Sequence, residues 1–213
     1  MSQEWNAEKV RRSGAYHEAA HAVVDVLEDH TVRYVSIGTE GTAYRDICVT
    51  AVNYYDWPGV GLVPAPWQAL GHAISAIAGD MAAWREAGKT YPYDSWEKIL
   101  QECEEIAELG DPDMLHDDTI EIRKYCKAAA LFGQTVRMPT PDELQEGALS
   151  LPLPPPRTAQ EAFEEALRAT EEIVNSYWPE ITNVAHKLME TGYLTGEEVE
   201  EIMVRSRALE NTR

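Results

Sequence analysis

Two histidines four residues apart, with a glutamate directly after the first, stand near the start of this sequence as His17-Glu18-Ala19-Ala20-His21. On a helix, i, i+4 spacing sets both imidazoles on one face one turn apart, where two ring nitrogens reach a single Zn2+ at about 2.0–2.1 Å. Glu18 lies beside that face. Its carboxylate can take a proton from an attacking water and hand it to a leaving amine, while zinc supplies Lewis acidity and lowers the pKa of the water to about 7. Average composition makes such a pentad roughly a one-in-a-hundred accident in a chain of this length. A catalytic zinc also needs a third protein ligand.

The elements that must position these residues follow from periodicity and punctuation. Residues 14–28 read as a helix with Ser13 as a candidate N-cap and an apolar face of Ala19, Ala20, Val23, Val24 and Leu27. The alternating segments 32–38 and 45–52 read as two strands of a hairpin, and 53–66, with its Pro, Gly and aromatics, as a loop. Helical periodicity returns over 67–87 and stops at Gly88, a natural residue for the left-handed position after a helix. Asp94 can cap a helix to about Leu109. A further helix opens at the acidic turn 110–118 and runs to about Phe132, ahead of Gly133, with Ile122, Tyr125, Cys126, Ala129 and Ala130 on one face. Residues 158–190 read as a long helix or a pair kinked at Pro179, and Thr195 with Glu198 as a capping box for a last helix over 196–208.

This pattern predicts a mainly α fold with a small β-sheet. A core over 1–133 is followed by a proline-rich connector over 134–157, and C-terminal helices over 158–213 pack back on the core. Of the 213 residues 44% are hydrophobic, which suits a packed core, and the formal net charge is −19. So acidic a surface repels nucleic acids and anionic membranes, so neither is expected as a partner. Cys48, Cys103 and Cys126 are too few and too irregular for a disulfide framework, and no apolar run approaches the roughly 20 residues of a membrane span. The expectation is a soluble, cytoplasmic protein, compatible with a homo-oligomer.

The segment AYHEAAHAVV (15–24) resembles the signature of the FtsH-type peptidase domain, the zinc protease half of AAA proteases. Three further stretches come in the family's order: VRYVSIG after the zinc helix, AISAIAGDMAAWREAG (73–88), and the C-terminal run NSYWPEITNVAHKLMETGYLTGEEVEEIM (175–203). The resemblance implies a zincin-like fold and an Asp at the start of a downstream helix as the third zinc ligand. Asp118 fits that role best, because Ile122, Tyr125, Cys126, Ala129 and Ala130 then fall on the family helix's apolar positions. Asp117 and Asp113 are rivals, and His116 beside them is an alternative ligand.

There are departures from the family. Ala83 and Trp84 replace a pair of acids, Ala20 replaces a glycine, and 89–109 reads as an insertion. No ATPase module or membrane anchor lies in these residues, so the implied activity is an ATP-independent zinc metallopeptidase acting on peptides or unfolded protein. Substrate would pair along the 32–52 hairpin edge. The alternative is a non-catalytic metal-binding or acidic interaction protein that keeps the fold. The intact Glu18 favours catalysis. His72 and His186 read as packing or surface residues, His30 as exposed, and Tyr54, Tyr55 and Trp57 as groove lining or a packing plug.

Overall fold

The computed structural model describes residues 7–28, 30–37, 54–57, 61–64, 68–109, 118–135 and 156–210. In chain order these form α1 (Ala7–Leu27), β1 (Tyr34–Ser36), β2 (Tyr54–Trp57), β3 (Gly61–Pro64), α2 (Ala69–Glu86), α3 (Trp96–Leu109), α4 (Asp118–Thr135), α5 (Ala159–Ser176), α6 (Trp178–Thr191), β4 (Tyr193–Thr195) and α7 (Gly196–Glu210). The fold is mainly α with a small β component. No helix among the described residues is long and apolar enough to cross a membrane. The proline-rich connector lies mostly outside the described residues, as does the expected strand 45–52.

A seam of small side chains between α1 and α2 forms the centre of the core. Ala15, Ala19, Ala20 and Ala22 on α1 are buried, as are Ala73, Ala76, Ala78, Gly79 and Ala82 on α2. Small residues on both sides let two helix axes approach closely. That brings whatever α1 carries on this face within reach of the α2 backbone. Helices α4 and α5 pack on α2, and α6 packs on α1, so α2 is enclosed from several sides. Thr170 on α5 ties into this layer, its hydroxyl lying 2.7 Å from the Ala166 carbonyl and 3.2 Å from that of Ile74. On α6, Trp178 stacks on Tyr16 at 5.4 Å and carries the Arg85 guanidinium 4.2 Å above its ring.

Several boundaries depart from the expectations, each for a local reason. Helix α1 begins at Ala7, so Ser13 is inside it and caps nothing. The residues ahead of Ser13 are good helix formers, and Arg12 donates to Glu86 on α2, which holds the added turns. Ser95, not Asp94, sits at the start of α3, accepting from the Lys98 amide at 3.4 Å, while Asp94 pairs with the Lys98 ammonium at 2.7 Å. Helix α4 runs through Gly133 to Thr135, and the Gln134 side chain donates to the Arg157 carbonyl at 2.7 Å. The loop expected over 53–66 contains an antiparallel hairpin, with Tyr54 opposite Pro64 and Trp57 opposite Gly61. The groove-lining role of Tyr54, Tyr55 and Trp57 concerns side chains outside the described set.

Strand β1 pairs antiparallel with β4, with Val35 opposite Leu194, rather than with a neighbour in sequence among the described residues. Gly192 makes this return: at φ 74° it occupies the left-handed region, donates its N–H to the Leu188 carbonyl at 2.7 Å, and turns the chain from α6 into β4. The helical run 158–190 is broken at Tyr177, with Pro179 in the first turn of α6 where its missing N–H is harmless. Thr195 and Glu198 form the reciprocal cap of α7, at 3.3 Å and 2.8 Å.

Candidate metal centre

His17 and His21 lie on the α1 face turned towards α2, and Asp118 is the first residue of α4. The packing of α2 between these helices brings the three side chains together. His17 Nε2 and His21 Nε2 are 3.0 Å apart, and Asp118 Oδ2 lies 3.0 Å from the first and 3.3 Å from the second. Ligands at about 2.0–2.1 Å from a tetrahedral ion stand about 3.3 Å from one another, so the triangle is close to the size a metal ion requires. The three residues are among those whose donor atoms could hold one. They remain partly accessible, with side-chain exposures of 17% for His17, 11% for His21 and 23% for Asp118, which leaves an open side.

The far side of each imidazole is held as well. His21 Nδ1 is 2.8 Å from the Ser75 carbonyl, a pure acceptor, so Nδ1 carries the proton and Nε2 presents its lone pair to the centre. His17 Nδ1 lies 3.3 Å from Asp80 Oδ1, which does the same for the second ring. Such partners orient an imidazole and raise its basicity as a ligand. Burial disfavours charge on His17, but hydrogen bonds to Asp118 and Asp80 outweigh it and hold its pKa well above the usual histidine range. Burial likewise opposes ionisation of Asp118, yet His21 and His17 hold its carboxyl far below the usual carboxylate range. The Asp118 and Asp80 carboxylates thus favour positive charge on the His17 imidazole between them.

Gly79 makes room for this arrangement. A Cβ at that position would lie 2.7 Å from His21 Cε1 and 2.9 Å from His17 Cε1, inside contact distance of both rings. Glu18 is buried at 5% exposure, with Oε1 3.9 Å from His17 Nε2, beside the convergence point rather than in it.

No family model matches this chain, and no curated protein matches it.

Of the residues picked out in the sequence, the structure brings His17, Glu18, His21 and Asp118 together. Asp113, His116 and Asp117 lie outside the described residues. His186 is away from the cluster, its Nε2 3.4 Å from the Tyr16 hydroxyl. His30, expected to be exposed, has a side chain only 4% exposed and is paired with Asp25 at 3.2 Å. Three participants were not anticipated. The Ser75 carbonyl carries no side-chain signal at all. Asp80, close to the Ala83–Trp84 pair that replaces the family's acids, is the carboxylate that faces His17 Nδ1. Gly79 had a signal, a glycine inside a helical run, which often marks close approach of another group. The Tyr91 hydroxyl is also buried without a hydrogen-bond partner among the described residues, and burial, with Asp80 and Asp118 adding to it, holds its pKa well above the phenol range.

Proposed function

We propose that this protein is a zinc metallopeptidase, similar to the FtsH-type peptidase domain, in which His17, His21 and Asp118 hold one Zn2+ and Glu18 is the general acid–base. The observation that carries the reading is the convergence of two Nε2 atoms and one carboxylate oxygen at 3.0–3.3 Å, with each outer Nδ1 facing a fixed acceptor. Two imidazoles and one carboxylate, with an open side, are the ligand set of a hydrolytic zinc rather than a closed structural one. Bound there, zinc would polarise a peptide carbonyl and acidify a water.

The protein's own groups supply the remaining steps. Asp118 offsets part of the ion's charge. Asp80 and the Ser75 carbonyl keep both imidazoles in the tautomer that can bind metal. Glu18, beside the ligands on the same helix, accepts the proton of the attacking water and delivers it to the amine as the peptide bond breaks. Peptides and already unfolded segments are the substrates this chemistry fits.

The test is hydrolysis of unfolded casein by protein loaded with zinc. His17→Ala should lose the zinc of this site and the hydrolysis with it. Glu18→Gln should keep both metal and fold while kcat falls by about 10^2–10^4, the usual share of general acid–base catalysis. Equal cleavage by wild type and Glu18→Gln would remove the proposal.

A further inference from the structure

One turn beyond His21 on the same face of α1 stands Asp25, about 6 Å further along the axis. It is 4% exposed and accepts a hydrogen bond from His30 Nδ1 at 3.2 Å. The His30 ring stacks on that of His72, near the start of α2, with centroids 4.2 Å apart and an interplanar angle of 11°. Ligand-capable atoms of Asp25, His30 and His72 all lie within 4.8 Å of one another. His72 is 7% exposed and its Nε2 is buried with no hydrogen-bond partner among the described residues. Folded proteins seldom leave a buried side-chain nitrogen unpaired, and a bound ion or water usually completes it. The Glu28 side chain lies against Gly71, the residue before His72, where a Cβ would come within 2.8 Å of Glu28 Oε2.

We propose that Asp25, His30 and His72 form a second metal site, structural in role, for a first-row divalent cation of the zinc class, held by these three donors. Two imidazoles with carboxylate oxygens suit such ions and not Mg2+ or Ca2+, which prefer all-oxygen shells. The buried, unpartnered His72 Nε2 is the nitrogen placed to give a lone pair to such an ion. Stacked rings aim their nitrogens side by side, so one ring must turn about its Cβ–Cγ bond on loading. A bound ion would join the C-terminal end of α1, the chain entering β1 and the first turn of α2. Those three elements set the depth of the α1–α2 seam, and the site lies at its far end from Glu18.

The experiment is a titration of metal-free full-length protein with Zn2+ and with Co2+, followed by bound-metal analysis and the visible ligand-field bands of cobalt. Wild type should take up about two equivalents. His17→Ala and Asp118→Asn, which each disable the first site, should both retain one, and adding His72→Gln to either should remove it. His72→Gln alone should keep one equivalent and the zinc-dependent hydrolysis. Using two backgrounds guards against one of them failing to fold, and far-ultraviolet circular dichroism checks each. Either of two results overturns the proposal: folded His17→Ala and Asp118→Asn proteins that bind no metal, or a second equivalent that survives both His72→Gln and His30→Gln. Loss of hydrolysis with both equivalents intact would count against the peptidase reading alone.

Discussion

Two histidine–carboxylate clusters lie along one seam between α1 and α2, and they are prepared differently. At His17, His21 and Asp118, three donor atoms already point at one spot, and every outer ring nitrogen has a fixed acceptor. At Asp25, His30 and His72, the rings lie flat on each other and one nitrogen has no partner among the described residues. Charge follows the same division: the first cluster raises its histidines' pKa values, whereas burial lowers that of His72. Proximity of ligand-type residues is therefore common to both, and orientation separates them. Fixing orientation takes groups outside the ligand set, which here come from the α2 backbone and Asp80.

The largest expected effect breaks the first cluster at its only carboxylate. Asp118→Asn keeps the shape but removes the charge that offsets the cation, so zinc affinity should fall steeply, measured by competition with a chromophoric chelator. Asp113→Asn and Asp117→Asn should each stay near wild type. A steep loss in either of them, with Asp118→Asn normal, would move the third ligand to that residue. Asp80→Asn tests orientation rather than ligation: the amide still reaches His17 Nδ1 but without charge, and affinity should drop by about 10–100-fold, the range seen for groups that position a ligand. Equal affinities for Asp80→Asn and wild type would leave the contrast between the clusters without its main cause.

A smaller effect comes from two glycines on α2 that face the two clusters. Exposed helix glycines usually gain about 1 kcal/mol on replacement by alanine. At Gly79 the added methyl would meet two imidazoles fixed on their far sides. Gly79→Ala should therefore destabilise by about 1–3 kcal/mol and weaken metal binding together. At Gly71 the contact is the tip of Glu28, a flexible side chain that can step aside. Gly71→Ala should stay within about 1 kcal/mol of wild type. Thermal unfolding of both variants, with and without zinc, makes the comparison. Similar losses at both positions would mean that the rings at Gly79 move as easily as Glu28 does.

How much of this was legible in the sequence depends on the range of the interaction. The His17–His21 spacing is local, and so is the apolar stripe of Ile122, Tyr125, Cys126, Ala129 and Ala130, all of which are buried on the α4 face. The capping box at Thr195 and the break at Pro179 are local too. Asp80 and the Ser75 carbonyl matter only because α2 runs antiparallel against α1, and no pattern within either helix announces that. His30 and His72 are neighbours for the same reason. The pairing of β1 with β4 joins three-residue strands from opposite ends of the chain, too short for alternation to specify a partner. Ser13 misled because its residue type favours helix starts, while the contact of Arg12 with Glu86 that extends α1 is tertiary.

An indirect effect concerns Cys126, two turns after Asp118 on the buried face of α4. It is fully buried, and burial pushes its thiol pKa well up. Alkylation requires the thiolate, so Cys126 should react only when α4 opens. An ion that ties Asp118 to α1 opposes that opening, by an amount set by how far free zinc exceeds its dissociation constant. Chelation should then speed modification of Cys126 by several-fold to about 100-fold, the latter corresponding to zinc at 100 times that constant. Mass mapping of the labelled peptide supplies the rate. The His72 ring lies 5.3 Å from Tyr125, so an ion in the second cluster would also brace α4. Asp118→Asn separates the two contributions. In that variant any acceleration by chelator that remains belongs to the second cluster, and His72→Gln in the same background should abolish it. A wild-type rate indifferent to chelator would mean that α4 opens without releasing Asp118, and that neither cluster braces this helix.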